Sequence, residues 1–218
     1  MVGEYYHIYN RGSDKRIIFN DESDLARFLE SVFIFNTVNP IVSIVNKKKN
    51  LGLKRLKIGV QPLSEPLVSI VAYSLLPNHF HFLIKQIREG GISEFMKRLQ
   101  AGYTSYFNQE HSRSGCLFQG KFKYKNIATD EYFKTLFCYV TFNQQVHNIP
   151  TEIIHLTSSS FYEYKTKIPY LTCKSEMDYI FKVFGNVEKI ESYGNETVSI
   201  IRKQRAQKDL ELNKDLLE

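Results

Sequence analysis

The chain has 218 residues, of which 43% are hydrophobic and 24% are charged. This length and composition suit one globular domain, or a domain with an appendage, and argue against a disordered chain. Lysine and arginine outnumber aspartate and glutamate by 29 to 23, and the resulting net charge of +6 favours a polyanionic partner without identifying one.

The cysteines and the hydropathy pattern narrow the setting in which the protein works. Cys116, Cys138 and Cys173 lie far apart with no CxxC pair, which argues for a reducing compartment and against a zinc ribbon or a disulfide framework. No apolar run approaches the ~20 residues that span a bilayer, and no signal peptide is visible. We therefore expect a soluble cytoplasmic protein with no membrane partner.

The N-terminal part predicts a strand, a helix and a second strand. The aromatic run Tyr5–Asn10 is typical of a first strand, and residues 21–36 combine an acidic first turn with an apolar stripe at helical spacing. A strand is predicted at Ile41–Val45. The cations that follow it have no acid between them and are Lys47, Lys48, Lys49, Lys54, Arg55 and Lys57. This basic run is typical of a solvated hairpin or loop, and a DNA-backbone contact is the alternative.

The rest of the chain alternates strands and helices again. The predicted elements are a strand at Leu67–Leu75, the strand containing His79, a helix at Ile92–Gln109 capped at or near Ser93, a basic strand at Lys121–Lys125, a helix from Thr129 to about Asn143, and a helix at Ser175–Phe184. The charged tail from Arg202 is compatible with a helix. This order predicts an α+β sandwich, a sheet covered by helices, rather than a doubly wound fold.

The triplet His79-Phe80-His81 is the first candidate functional site. Residues i and i+2 of a strand project from the same face, so both imidazoles are expected on one side of the sheet. Two neutral imidazoles held in this way can share a divalent metal. A pair of hydrogen-bonded core histidines is the alternative, and the triplet alone does not separate the two.

The helix after Thr129 carries a second candidate pair. Its core-facing stripe is Phe133, Leu136, Phe137 and Val140. Tyr139 and Asn143, spaced i and i+4, lie along one edge of that stripe and would present a hydroxyl and an amide to the same place. The alternative is an aromatic residue at the rim of the core and a helix C-cap.

Four motifs in the same order carry a resemblance to a known family. They are Tyr6–Gly12, Leu76–Leu83, Leu117–Lys123 and Cys138–Asn143. Together they resemble the insertion-sequence-200-like transposases, which are single-tyrosine HUH DNA transposases, and most of all the branch called REP-associated tyrosine transposases. The resemblance covers roughly residues 4–147 and extends weakly into the C-terminal part.

The resemblance implies a fold and a set of residue roles. The fold would be a ferredoxin-like or RRM-like antiparallel sheet, with a catalytic domain at 1–149 and a partly helical extension at 150–218. His79 and His81 match the metal-binding histidines of the family, and Tyr139 matches its nucleophile. Asn143 matches the third, oxygen-donating ligand, although this chain has Gln144 where the branch commonly has proline. The implied cofactor is Mg²⁺ or Mn²⁺.

The implied activity is metal-dependent nicking and strand transfer of single-stranded DNA, through a 5′-phosphotyrosine and at hairpins. Candidate DNA contacts are Arg11, Lys121, Lys123, Lys125 and the basic run, while His7 is interpreted as structural and His147 as lacking ligand spacing. Two alternatives stay open: a domesticated hairpin-binding protein without cleavage, and another HUH endonuclease of the relaxase or replication-initiator type. The sequence also leaves open whether the protein is a monomer or a homodimer.

Overall fold

Five antiparallel strands form one sheet in the part of the chain that the structure describes. The computed structural model describes residues 1–39 and 65–215, with side chains through Lys208; the predicted strand at Ile41–Val45 and the basic run lie outside these residues. The strands are β1 (Tyr5–Arg11), β2 (Val68–Leu76), β3 (His79–Gln86), β4 (Lys123–Asn126) and β5 (Ser158–Ser159). Their order across the sheet is β4-β1-β3-β2-β5.

Helices cover both faces of this sheet, which confirms the predicted α+β class. They are α1 (Glu22–Phe35), α2 (Gly91–Glu110), α3 (Asp130–Thr141), α4 (Asn143–Val146), α5 (Phe161–Thr166), α6 (Lys174–Phe184) and α7 (Val187–Asp215), with short 3₁₀ turns at Ser13–Lys15 and Thr151–Leu156.

The two faces of the sheet bury different sets of side chains. On one face Phe80 and Phe82 pack with the apolar residues of α1 and α2. On the other, Leu83 and Val71 pack with the apolar residues of α3, α6 and α7. We call these the α1–α2 face and the α3 face. Because consecutive strand residues point to opposite sides, each strand contributes to both cores.

A close backbone contact shapes the end of β1. The amide of Gly12 donates to the Asn78 carbonyl at 2.8 Å, which joins β1 to the turn before β3. A Cβ at position 12 would lie 2.2 Å from the Arg16 carbonyl oxygen, so only glycine fits there. The segment before β4 is also fixed to the end of β1, because Gln119 N donates to Arg11 O at 2.8 Å.

The structure moves the boundaries of three predicted elements. Helix α2 begins at Gly91 after a left-handed Gly90 cap (φ 66°), so the cap predicted at Ser93 is wrong. Strand β4 begins only at Lys123, because the chain turns at Gly120 (φ 65°) before it can pair with β1. The helix predicted to reach Asn143 ends at Thr141.

The C-terminal residues are more regular than their charge pattern indicates. Helix α7 runs without interruption from Val187 to Asp215 and includes most of the charged tail. Its Ile190 and the Met177 and Ile180 side chains of α6 lie in the same core as Leu83. This core places the C-terminal helices beside α3, and the domain boundary at residues 149 and 150 stays a prediction.

Candidate active site

The two histidines of β3 project together from the α3 face. Their ring centroids are 5.2 Å apart with the planes at 87°. His81 is 7% exposed, whereas His79 is only partly buried. The partner strand β1 places Tyr9 opposite His81 and Arg11 opposite His79. The pair therefore lies where β1 ends and β3 begins, next to the turn that joins β2 to β3.

A hydrogen bond occupies the Nδ1 nitrogen of each ring. His79 Nδ1 donates to Asn78 Oδ1 at 2.6 Å, so the lone pair of this ring is on Nε2. His81 Nδ1 is 2.9 Å from His7 Nε2. When His81 Nδ1 carries the proton and donates to His7, His81 also keeps its lone pair on Nε2. This is the tautomer that a metal-binding histidine uses when its other nitrogen is hydrogen-bonded.

Burial keeps these rings neutral. It lowers the pKa of His79 to about 4, and the neighbouring His147 and Arg205 act in the same direction. It also lowers the pKa of His7 to about 4, with Lys125 adding to the effect. The pKa of His81 is shifted well below its usual range, again chiefly by burial. Neutral imidazole is the form that metal binding requires.

Tyr139 stands over this cluster from helix α3. Thr129 caps that helix, because its Oγ1 accepts from Tyr132 N at 3.2 Å. The Tyr139 ring lies edge-on to His81, with centroids 5.4 Å apart and planes at 81°. It also lies 6.1 Å from the His7 ring. The side chain is partly exposed and lines the cleft described below.

Asn143 lies next to His79 and is fully enclosed. Helix α3 ends at Thr141, and the non-helical Phe142 (φ −106°, ψ 22°) separates it from the one-turn helix α4. Asn143 is 0% exposed, and among the described residues neither its Oδ1 nor its Nδ2 has a hydrogen-bond partner by distance and angle. The amide still approaches His79 closely enough for a weak hydrogen bond, which raises the pKa of that ring against the effect of burial.

The unpaired amide tests whether the site suits a metal. A buried amide without a partner costs about 1–3 kcal/mol, unless a ligand or a water satisfies it. An amide oxygen beside two imidazole nitrogens is a mixed donor set suited to Mn²⁺ and acceptable to Mg²⁺. The residues present therefore fit the predicted metal. Among the described side chains, no group of three or more His, Cys, Asp or Glu is arranged to hold one.

A cleft of about 420 Å³ opens over these groups. Its lining residues come from β1, β3, β4, α3, α7 and the segments between elements, and they are Tyr9, Asn10, Arg11, Lys15, Asn78, His79, His81, Gln119, Lys123, Tyr139, His147 and Arg205. Arg205 reaches the cleft because Gly194 lets α7 approach α3 closely: a Cβ at Gly194 would lie 2.3 Å from the Phe142 ring.

The predicted DNA contacts divide between the two faces. Arg11 and Lys123 line the cleft, as a phosphate-binding role requires. Lys125 lies on the same face, since it pairs with His7 across β1 and β4. Lys121 instead lines a groove beside α2. The basic run from Lys47 to Lys57 is not among the described residues.

The sequence does not predict three residues of the site: His147 and Arg205 line the cleft, and His7 lies behind His81. His7 contacts His81 directly, and the His147 ring lies 4.9 Å from that of His79. Arg205 lies on α7, more than sixty residues after Tyr139 in the chain. The alternation of Tyr5, His7 and Tyr9 shows that these side chains share a face, but only the β1–β3 register shows that this face is the one with His81.

No helix of the described residues is long and apolar enough to cross a membrane. Together, the fold and the cleft define an antiparallel α+β protein in which a histidine pair and a helix-borne tyrosine meet in a basic site. This is the arrangement that the four sequence motifs imply for a single-tyrosine DNA transposase.

Residues 43–144 match the family model described as "Transposase IS200 like". The match confirms the resemblance to the IS200-like transposases over just under half of the chain, and it includes His79, His81, Tyr139 and Asn143. No curated protein matches. Among solved structures, a REP-associated tyrosine transposase bound to a REP hairpin matches with 12% sequence identity and a TM-score of 0.45, covering 79% of this chain and 86% of that one.

Proposed function

We propose that this protein nicks and rejoins single-stranded DNA at hairpins, with Tyr139 as the nucleophile that becomes linked to a 5′ phosphate. The observation that carries the proposal is the shared cleft: Tyr139 stands 5.4 Å from His81, next to a second histidine and several cations. A positioned phenol with groups that neutralise phosphate charge is what tyrosine attack on a phosphodiester requires. The four sequence motifs support the REP-associated branch and hence a hairpin substrate.

His79, His81 and Asn143 would hold the divalent ion, Mg²⁺ or Mn²⁺. The support is the pair of neutral rings, each held by a hydrogen bond at Nδ1, and the buried amide of Asn143, which has no hydrogen bond of good geometry among the described residues. When bound, the ion supplies positive charge to the scissile phosphate. His7 accepts from His81 and keeps that ring in one orientation, while Asn78 does the same for His79.

The protein side chains carry out the transfer itself. Tyr139 Oη forms a bond to phosphorus as the bond from phosphorus to the 3′ oxygen breaks. The proton lost by the phenol ends on the departing 3′ oxygen, which becomes a hydroxyl. Arg11, Lys123 and Arg205 bind phosphates on either side of the scissile one. Attack by a second 3′-hydroxyl then breaks the phosphotyrosine bond and joins two strands. One phosphodiester replaces another, so no nucleotide triphosphate is consumed.

The test is formation of a covalent protein–DNA adduct. Purified protein is incubated with Mn²⁺ and single-stranded hairpin oligonucleotides from the flanks of its own gene, and the products are separated under denaturing conditions. We expect an adduct with the wild-type protein and none with Tyr139→Phe or His79→Ala.

Tyr9→Phe is the matched control. Tyr9 lines the same cleft and stacks 5.6 Å from His81, so it is the other phenol within reach of a bound phosphate. The adduct should persist in this variant. An adduct that survives Tyr139→Phe but disappears in Tyr9→Phe would move the nucleophile to Tyr9. Tight hairpin binding by the wild type without any adduct would favour a protein that binds hairpins and no longer cuts them.

A further inference from the structure

Strand β4 is an edge strand whose two sides carry different chemistry. Lys123 pairs with Tyr9 and Lys125 with His7, so both lysines lie on the α3 face with the cleft. Tyr124 pairs with Ile8 and therefore points to the α1–α2 face. All four residues of β4 are exposed, and β1 is its only partner within the described residues.

On the α1–α2 side, a groove of about 910 Å³ runs between α2 and the segment leading into β4. We call it the α2–β4 groove. Its floor is apolar and its rim carries cations; the residues that define it are Lys97, Ala101, Leu117, Lys121, Phe122 and Tyr124. None of the described residues that line it is acidic.

The aromatic rings of this groove are held in place yet left open. Tyr124 is 68% exposed, although its ring lies 6.4 Å from Tyr6 and 6.3 Å from Phe122. Each of the two groove rings is followed and preceded by a lysine in the run Lys121–Lys125. A large exposed ring on a cationic edge is the pattern by which proteins stack unpaired bases while lysines hold the backbone.

We propose that the α2–β4 groove binds unpaired nucleotides of the same DNA strand whose phosphate enters the cleft, with the strand passing around the edge of β4. This inference rests on the proposed function. Lys123 on one side and Lys121 on the other contact the backbone on its way, and Tyr124 stacks a base. The groove therefore requires a single-stranded flank, because a base stacked inside a duplex cannot present its face to a tyrosine ring.

The test measures binding of a short fluorescein-labelled oligothymidylate by fluorescence anisotropy. Tyr139→Phe protein is used as the parent, so that binding is read without covalent capture. Tyr124→Ala should weaken binding about tenfold, whereas Tyr124→Phe should bind within about twofold of the parent because stacking needs only the ring. Tyr162→Ala is the matched control, since Tyr162 is 74% exposed on α5, outside the groove and the cleft, and it should have no effect.

Salt dependence separates stacking from charge. Tyr124→Ala should leave the slope of log K against log salt unchanged, while Lys121→Ala should reduce it by about 0.7, the value for one phosphate contact on a single strand. An oligonucleotide of abasic residues should bind the parent and the Tyr124→Ala variant equally. Equal affinity of Tyr124→Ala and the parent for oligothymidylate would overturn the proposal.

Cys116 provides a second readout because it is exposed and lines the groove. In a Cys173→Ser background, saturating oligothymidylate should slow maleimide labelling of Cys116. Unchanged labelling under conditions where anisotropy shows full binding would place the DNA elsewhere. Concentration-dependent dimerisation that Tyr124→Ala abolishes would assign the groove to a second copy and overturn the proposal. Failure of the proposed function would appear separately, as adduct formation that does not depend on Tyr139.

Discussion

Strand β3 supplies the two faces of the sheet with opposite kinds of residue. Toward α1 and α2 it sends Phe80 and Phe82, which are both 0% exposed and pack among aromatic rings such as Phe28 and Phe95. Toward α3 the same strand sends His79 and His81. At this end of β3, one face thus receives aromatic side chains and the other receives a polar site.

The difference has an energetic cost on the α3 face. Ser74 lies directly opposite His81, and its buried hydroxyl, like the amide of Asn143, has no hydrogen-bond partner among the described residues. Such groups cost about 1–3 kcal/mol each when nothing satisfies them. The aromatic packing of the α1–α2 face stabilises the sheet that carries this polar site.

The largest expected effect comes from the α1–α2 face. Phe80→Ala should lower the free energy of unfolding by about 3–5 kcal/mol, because it leaves a cavity in an apolar core. His79→Ala, one residue away on the same strand, should lower it by less than about 1 kcal/mol. Urea unfolding in metal-free buffer measures both. Similar destabilisation by the two variants would show that the faces do not divide stability from chemistry.

The next effect concerns His7, which lies behind the proposed metal ligands. His7→Phe should weaken Mn²⁺ binding about 10- to 100-fold, because His81 loses the acceptor that fixes its orientation. Isothermal titration calorimetry measures the affinity. His155→Phe is the control, since His155 is exposed and lies outside the cleft. Wild-type Mn²⁺ affinity in His7→Phe would return His7 to the purely structural role that the sequence predicts.

Stability should also depend on pH through the α3 face. The pKa of His7 and of His79 is about 4 in the folded protein and about 6.5 when unfolded, so the unfolded chain binds more protons between these values. Stability should be complete above pH 6.5 and fall toward pH 4, by on the order of 1 kcal/mol per pH unit. Urea unfolding in EDTA across this range checks the slope. His7→Phe should flatten it, and an unchanged slope would exclude His7 as a source.

The sequence predicts local features of the fold well and long-range ones poorly. The period of two in β3 predicts that His79 and His81 share a face, and the stripe of α3 predicts which residues are buried. It does not predict the break at Phe142, which depends on Phe142 packing 4.7 Å from Phe161 and against Gly194 of α7. The contact between His7 and His81 depends on strand register, and the entry of Arg205 depends on helix docking; neither leaves a local pattern.

The smallest effect tests the most distant contributor to the cleft. Arg205 lowers the pKa of His79, His81 and His147, so its charge is felt across the site. Arg205→Ala should weaken oligonucleotide binding a few-fold and make the salt slope shallower by about 0.7, as expected for one lost phosphate contact.

The control is Lys203→Ala on the same helix, because Lys203 lies outside the cleft and should change neither the affinity nor the slope. Anisotropy titrations over a range of salt concentrations compare the two variants. If the two variants behave alike, Arg205 contributes only to the overall positive potential of a chain with net charge +6. If only Arg205→Ala changes the slope, the C-terminal helix belongs to the DNA-binding surface, and the chemistry of the α3 face is completed by residues beyond the segment that matches the transposase family.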